Sequence, residues 1–256
     1  MIKRNFAAAL TAGALLLAGS SANAILVDLG TDGSGTINGA LFSVTSPHPT
    51  GTGVFDPFLT VQNSPWEQGY NSSTANFDTK REPQWNHEIQ FSDLQVTTVN
   101  GIQYFGFVVD VNEPNGGGRN GISLNGLQIF TSPTLQNSTS VGSNGFFNGS
   151  LGTLQYDLGS GNSVLYDDQH SGSGTGDIFI LVPVANFDGV GQNDYVYMYQ
   201  RWGNSDFSEG GFEETAILAG FTVIPELSTF FPIIGLMTAV LSTHLLRRRR
   251  LAQISA

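Results

Sequence analysis

Asn100-Gly101 separates two runs of β-branched and aromatic residues, QVTTV (95–99) on one side and IQYFGFVVDV (102–111) on the other. Asn and Gly both tolerate a positive φ, which a two-residue hairpin needs at its two central positions, so the pair predicts an antiparallel hairpin. A second Asn-Gly pair, Asn125-Gly126, stands in the same way between ISL and LQIFT. Similar short runs recur along the chain: ALFSVT (40–45), VFDPFLTVQ (54–62), EIQFSDLQVTTV (88–99), DIFILVPV (177–184), DYVYMYQ (194–200) and TAILAGFTV (215–223). Between Ile25 and Phe221 no stretch keeps apolar residues at helical spacing over three turns. About ten short strands without helices between them predict an all-β fold, an antiparallel β-sandwich of jelly-roll type.

The two ends follow other rules. Lys3 and Arg4 precede an apolar stretch, 6–18, and Ala22-Asn23-Ala24 supplies the small residues of a cleavage site, with Ala22 and Ala24 as its recognition positions. Residues 1–24 therefore read as a secretory signal peptide that hands the chain to the Sec export machinery. Its apolar part falls short of the roughly 20 residues that a spanning helix needs. Near the other end, FFPIIGLMTAVLSTHLL (230–246) carries no charge when His244 is neutral, and Arg247, Arg248, Arg249 and Arg250 follow at once. This predicts a single C-terminal transmembrane helix whose arginine end stays in the cytoplasm, with residues 251–256 as the cytoplasmic end. What remains, 25–222, is long enough to bury a core of its own.

Charge and cysteine usage exclude several functions. Of the ten Lys and Arg residues only Lys80, Arg81, Arg119 and Arg201 lie between the two ends. Of the twenty-one Asp and Glu residues only Glu226 lies outside that region. So acidic a domain repels phosphate backbones and excludes nucleic acid as a partner. With no cysteine in the chain, thiol chemistry and thiolate-bound zinc are also excluded.

Residues 223–231 (VIPELSTFF) make the tail more specific. Pro225-Glu226, then Ser228, Thr229 and Phe230, an apolar span and an arginine cluster resemble the PEP-CTERM sorting domain, also labelled the ice-binding protein C-terminal domain. In this chain Leu227 stands where that motif usually has a second proline. The resemblance implies that residues 223–250 are a processing handle on an exosortase substrate of a Gram-negative bacterium. The protein would be exported through the inner membrane and anchored there transiently. An exosortase-like membrane enzyme would then cut near Pro225-Glu226 and release the domain to the cell surface or an extracellular polysaccharide matrix. The exported region also resembles proteins that carry such a tail, in GTGVFDPFLTVQ, EQGYN, FVVDVNEPNGGGRNGISLNGLQIFTS, GSGTGDIFILVPV, YVYMYQRWG and GGFEE. Thr215 stands where that group often has Trp after GFEE.

Catalytic motifs are scarce. His87-Glu88 opens HEIQF, but Phe91 occupies the position of the second histidine of a zinc-protease motif. Asp167-Asp168 and Glu213-Glu214 are adjacent pairs, and neighbours in a strand point to opposite faces. DLGTDGSGTING from Asp28 fails as a calcium loop at Gly30 and Gly39. Asp110, Asn112 and Glu113 put oxygen donors at a strand end beside Pro114 and a glycine-rich turn, a pattern that suits a structural calcium ion. Tyr195, Tyr197 and Tyr199 alternate with Val196 and Met198, so their rings share one strand face and, if exposed, would form a sugar-stacking platform. The expected function is a structural or adhesive, non-catalytic role in the envelope or matrix. A lectin-like carbohydrate-binding module, calcium-dependent or not, is the alternative, and a polysaccharide-active enzyme the second alternative.

Overall fold

The computed structural model describes residues 24–45, 56–74, 76–112, 121–167, 176–203 and 210–218. The expected signal peptide through Asn23, Glu113, and the expected sorting tail with Pro225, Glu226 and the arginine cluster lie outside the described residues. In chain order the strands are β1 (Leu26–Asp28), β2 (Ser34–Ile37), β3 (Ala40–Val44), β4 (Pro57–Val61), β5 (Glu67–Tyr70), β6 (Ile89–Gln90) and β7 (Val96–Val99). They continue with β8 (Ile102–Val111), β9 (Gly121–Ser132), β10 (Thr153–Asp157), β11 (Ser163–Asp167), β12 (Ile178–Pro183), β13 (Tyr195–Trp202) and β14 (Glu213–Ile217). Helical structure among the described residues is limited to one four-residue helix, α1 (Leu29–Asp32), and two 3-10 turns, Phe91–Asp93 and Val184–Phe187. None is long and apolar enough to cross a membrane, and the predicted span, 230–246, lies outside the described residues.

Two sheets form an all-β sandwich. One runs β1-β11-β9-β13-β5, with β10 also beside β9 and β6 beside β13. The other runs β2-β3-β12-β8-β14-β4, with β7 also beside β8. Their facing sides share one core, to which Phe42, Phe107 and Ile180 come from the second sheet and Ile122, Met198 and Trp202 from the first. Each such side chain, fully withdrawn from water, contributes about 1.5–3 kcal/mol of hydrophobic stabilisation. Strand alternation sorts β8: Phe105, Phe107, Val109 and Val111 enter the core, while Tyr104 and Val108 join Phe179, Leu181 and Leu218 on the opposite face.

The Asn100-Gly101 hairpin forms as expected, with φ of 51° and 81° and Val99 opposite Ile102. Asn125-Gly126 does not turn the chain. β9 runs through it, and the pairing with β13 slips there, Arg201 facing Gly126 and Trp202 facing Leu124. The extra residue is a bulge, which lets both Leu124 and Leu127 point into the core. EIQFSDLQVTTV is likewise not one strand but β6, a 3-10 turn and β7. One pairing departs from the antiparallel expectation: β1 lies parallel to β11, Leu26 opposite Ser163. Just before it, the Ile25 amide donates to Asn162 Oδ1 at 2.8 Å, and the Ser163 amide donates to the Ile25 carbonyl at 2.9 Å.

Candidate functional site

Tyr195, Tyr197 and Tyr199 do share one face of β13, the outer face of its sheet, because Val196 and Met198 occupy the core. The irregular segment 133–152 covers that face with Phe147 and Leu151. Tyr197 is 0 % exposed and Tyr199 1 %. Their hydroxyls hold the cover: Tyr197 accepts the Gln136 amide at 2.9 Å, and Tyr199 accepts the Phe147 amide at 3.2 Å while donating to Gln68 Oε1 at 2.7 Å. Burial pushes the Tyr70 and Tyr199 phenols up to about 12, and the Tyr197 phenol is raised for the same reason. The expected stacking platform is therefore corrected: two of its three rings are fasteners under a cover, closed to a sugar.

Arg201, next on this face, anchors the same cover. Its guanidinium lies 4.2 Å from the Trp66 ring centre and 4.1 Å from that of Phe146, and Nη1 donates to the Gly145 carbonyl at 2.8 Å. Burial lowers its pKa from the ordinary arginine range, yet an arginine between two ring faces keeps its charge. Beside it a cavity of ≈ 350 Å³ opens over β9, lined in part by Asn125, Gln128, Asn144, Phe146 and Asp157. There Gln128 Nε2 donates to Asp157 Oδ2 at 2.9 Å.

Two of the three proposed metal ligands stand at the end of β8. Asp110 is a buried residue of β8 directly opposite Glu214, Asn112 follows the strand half-buried, and Glu113 lies outside the described residues. Among the described residues no three His, Asp or Glu side chains are grouped to hold a metal ion. His87 is committed to its own turn: Nδ1 faces the Pro83 carbonyl at 2.8 Å, so that nitrogen carries the proton.

A second cleft, ≈ 360 Å³, lies over the Thr60–Glu214 cross-strand pair of β4 and β14. Leu59 and Val61 turn into the core, so Thr60 faces outward between them. Residues 80–87 fold across it: Lys80 N donates to the Thr60 carbonyl at 3.1 Å, Thr60 Oγ1 to the Trp85 carbonyl at 3.1 Å, and His87 N to the Phe58 carbonyl at 3.0 Å. Within this segment Trp85 N and Asn86 N both donate to the Glu82 carbonyl, at 2.9 and 3.1 Å. Asn86 then fixes the turn, donating through Nδ2 to the Ser72 carbonyl at 2.8 Å and accepting the Ser72 amide at 3.2 Å. The result is Trp85, 37 % exposed, on a rigid mount. Phe212 forms a second aromatic wall with Lys80 Nζ 5.9 Å from its ring centre, and Glu82 and Glu214 complete the lining. The sequence reading missed this cleft. Its signal was an aromatic residue in an otherwise polar turn, EPQWN, where no core position explains a tryptophan.

Comparison of the chain with protein-family models, with characterised proteins and with solved structures finds no match.

Proposed function

We propose that this chain is an exported cell-surface or extracellular-matrix protein with a structural or adhesive, non-catalytic role. One observation carries the reading: the polar and aromatic side chains along the outer face of β13 are used as fasteners. Tyr197 and Tyr199 pin the 133–152 cover, Arg201 clamps it, and Asn71 bridges to β13 by accepting the Met198 amide at 2.6 Å and donating to the Val196 carbonyl at 2.9 Å. A domain without cysteine, destined for the outside of a cell, needs such ties to hold its loops.

Delivery is by the tail. Pro225-Glu226, the apolar 230–246 and the arginine cluster act as a PEP-CTERM-like sorting signal, cut by an exosortase-like enzyme after Sec export of a Gram-negative surface protein. The jelly-roll type of the sandwich belongs to the same proposal. It is supported by a chain that changes sheet at β8 to β9, β11 to β12, β12 to β13 and β13 to β14. Intact-mass spectrometry of the protein from its own cells, combined with cell fractionation, tests this. A C-terminus near Pro225 in the surface or matrix fraction is expected. A chain that retains Arg247–Arg250 in the inner membrane would sink the sorting proposal.

A further inference from the structure

We propose that the Trp85 cleft binds a neutral hexose unit of an extracellular polysaccharide. The proposal deepens the surface-protein reading by naming what the domain adheres to, and it rests on that reading for the presence of polysaccharide.

Sugar recognition needs an apolar face to lie against the C–H face of a pyranose ring and polar groups at its rim to take the hydroxyls. The cleft supplies both. Trp85 and Phe212 are its aromatic walls, while the exposed Glu82 and the half-buried Lys80 bring an acceptor and a donor at the rim. Its ≈ 360 Å³ lies at the small end of ligand sites, which suits one or two sugar rings rather than a peptide or a cofactor. Preorganisation favours binding further. The Trp85 turn is held by Asn86 and by Thr60, and Lys80 Nζ is steered by a hydrogen bond to Gln62 Oε1, so little freedom is lost when a ligand arrives.

Charge selects among sugars. The exposed Glu82 carboxylate at the rim, on a chain of formal net charge −11, disfavours uronates and sulfated sugars. Carboxylates accept strongly from hydroxyl groups, so an uncharged polyhydroxy ring is the ligand that this lining fits. Tyr197 and Tyr199 have the chemistry for stacking but lie under their cover, whereas Trp85 is 37 % exposed. Of the other two tryptophans, Trp202 is in the core and Trp66 covers Arg201.

The test uses the full chain, extracted in a detergent without a sugar headgroup. It is run in native gels cast with dextran, galactomannan, xyloglucan or polygalacturonate. Retardation by at least one of the three neutral polymers is expected, with none by polygalacturonate. Trp85→Ala should weaken it roughly tenfold, the scale of one aromatic contact. Glu82→Gln should weaken it severalfold, and Trp85→Phe should keep most of the binding while abolishing the change in tryptophan emission on adding the polymer. Should Trp85→Ala not fold, Glu82→Gln and Trp85→Phe decide. The proposal is overturned by no retardation in any neutral polymer, by polygalacturonate retarding the protein as strongly, or by binding that Trp85→Ala and Glu82→Gln leave unchanged. An emission response that persists in Trp85→Phe also overturns it. Failure of the surface-protein reading registers separately, in the fractionation. Hydrolysis of a bound neutral polymer would overturn the non-catalytic role and support the ligand class.

Discussion

The Tyr166 hydroxyl donates to Asp177 Oδ1 at 2.7 Å, joining β11 in one sheet to the residue just before β12 in the other. Oδ2 of the same carboxylate accepts the Val111 amide at 2.9 Å, and the Asp177 amide donates to the Val109 carbonyl at 2.7 Å. One buried carboxylate thus ties both layers at one end of the sandwich. Tyr166→Phe keeps the ring and removes the donor, which leaves a buried carboxyl group with one bond fewer. We expect a loss of about 2 kcal/mol, read as a lower urea midpoint at unchanged slope. An unmoved midpoint would show that the tie is incidental.

Arg201 is a clamp by stacking, which lysine cannot reproduce. Arg201→Ala and Arg201→Lys should each lower stability by about 1–2 kcal/mol, and amide exchange should speed up first in 133–152. Exchange that rises evenly over the whole domain would argue that Arg201 does not act on the cover.

The buried phenols set an alkaline limit. Tyr70 and Tyr199 have pKa values raised from 10.0 to about 12, so above pH 10 the unfolded chain releases protons that the folded chain holds. Their contribution to stability is full below pH 10 and is lost as pH climbs towards 12. Urea midpoints measured from pH 8 upward should be flat to about 10 and then fall, and phenolate absorbance should appear late. Early, reversible ionisation of all the tyrosines in folded protein would contradict the covered face.

Gly152 closes the cover against β9 with φ at +116°, and a Cβ there would lie 2.2 Å from the Thr131 carbonyl oxygen. Both the backbone conformation and the contact reject a side chain. Gly152→Ala should cost about 3 kcal/mol or more, visible in the thermal midpoint. A variant as stable as the parent would mean that the 133–152 segment can seat itself differently.

Local chemistry is what the sequence could express. The Asn100-Gly101 hairpin, the one-sided tyrosines and the β-class of the fold depend on neighbours in the chain, and these were readable. Asn125-Gly126 was not, because the same tolerance for irregular backbone serves a turn or a bulge, and only the β13 partner decides which. The burial of Tyr197 and Tyr199 hinged on a segment that returns across their face after Ser132. Likewise the Trp85 cleft joins residues 60–85 to 212–214 through the pairing of β4 with β14, a long-range contact that leaves no periodic mark in either stretch.

The bond from the Ile25 amide to Asn162 bears on the proposed export. If the leader is removed after Ala24, Ile25 becomes the first residue, and its neutral amide becomes an ammonium facing the same Asn162 oxygen. The new end is then seated by a charge-assisted bond at the edge of a sheet, with no slack peptide ahead of β1. On the proposed export route, aminopeptidases would find little to grip, and trimming should stall at Ile25.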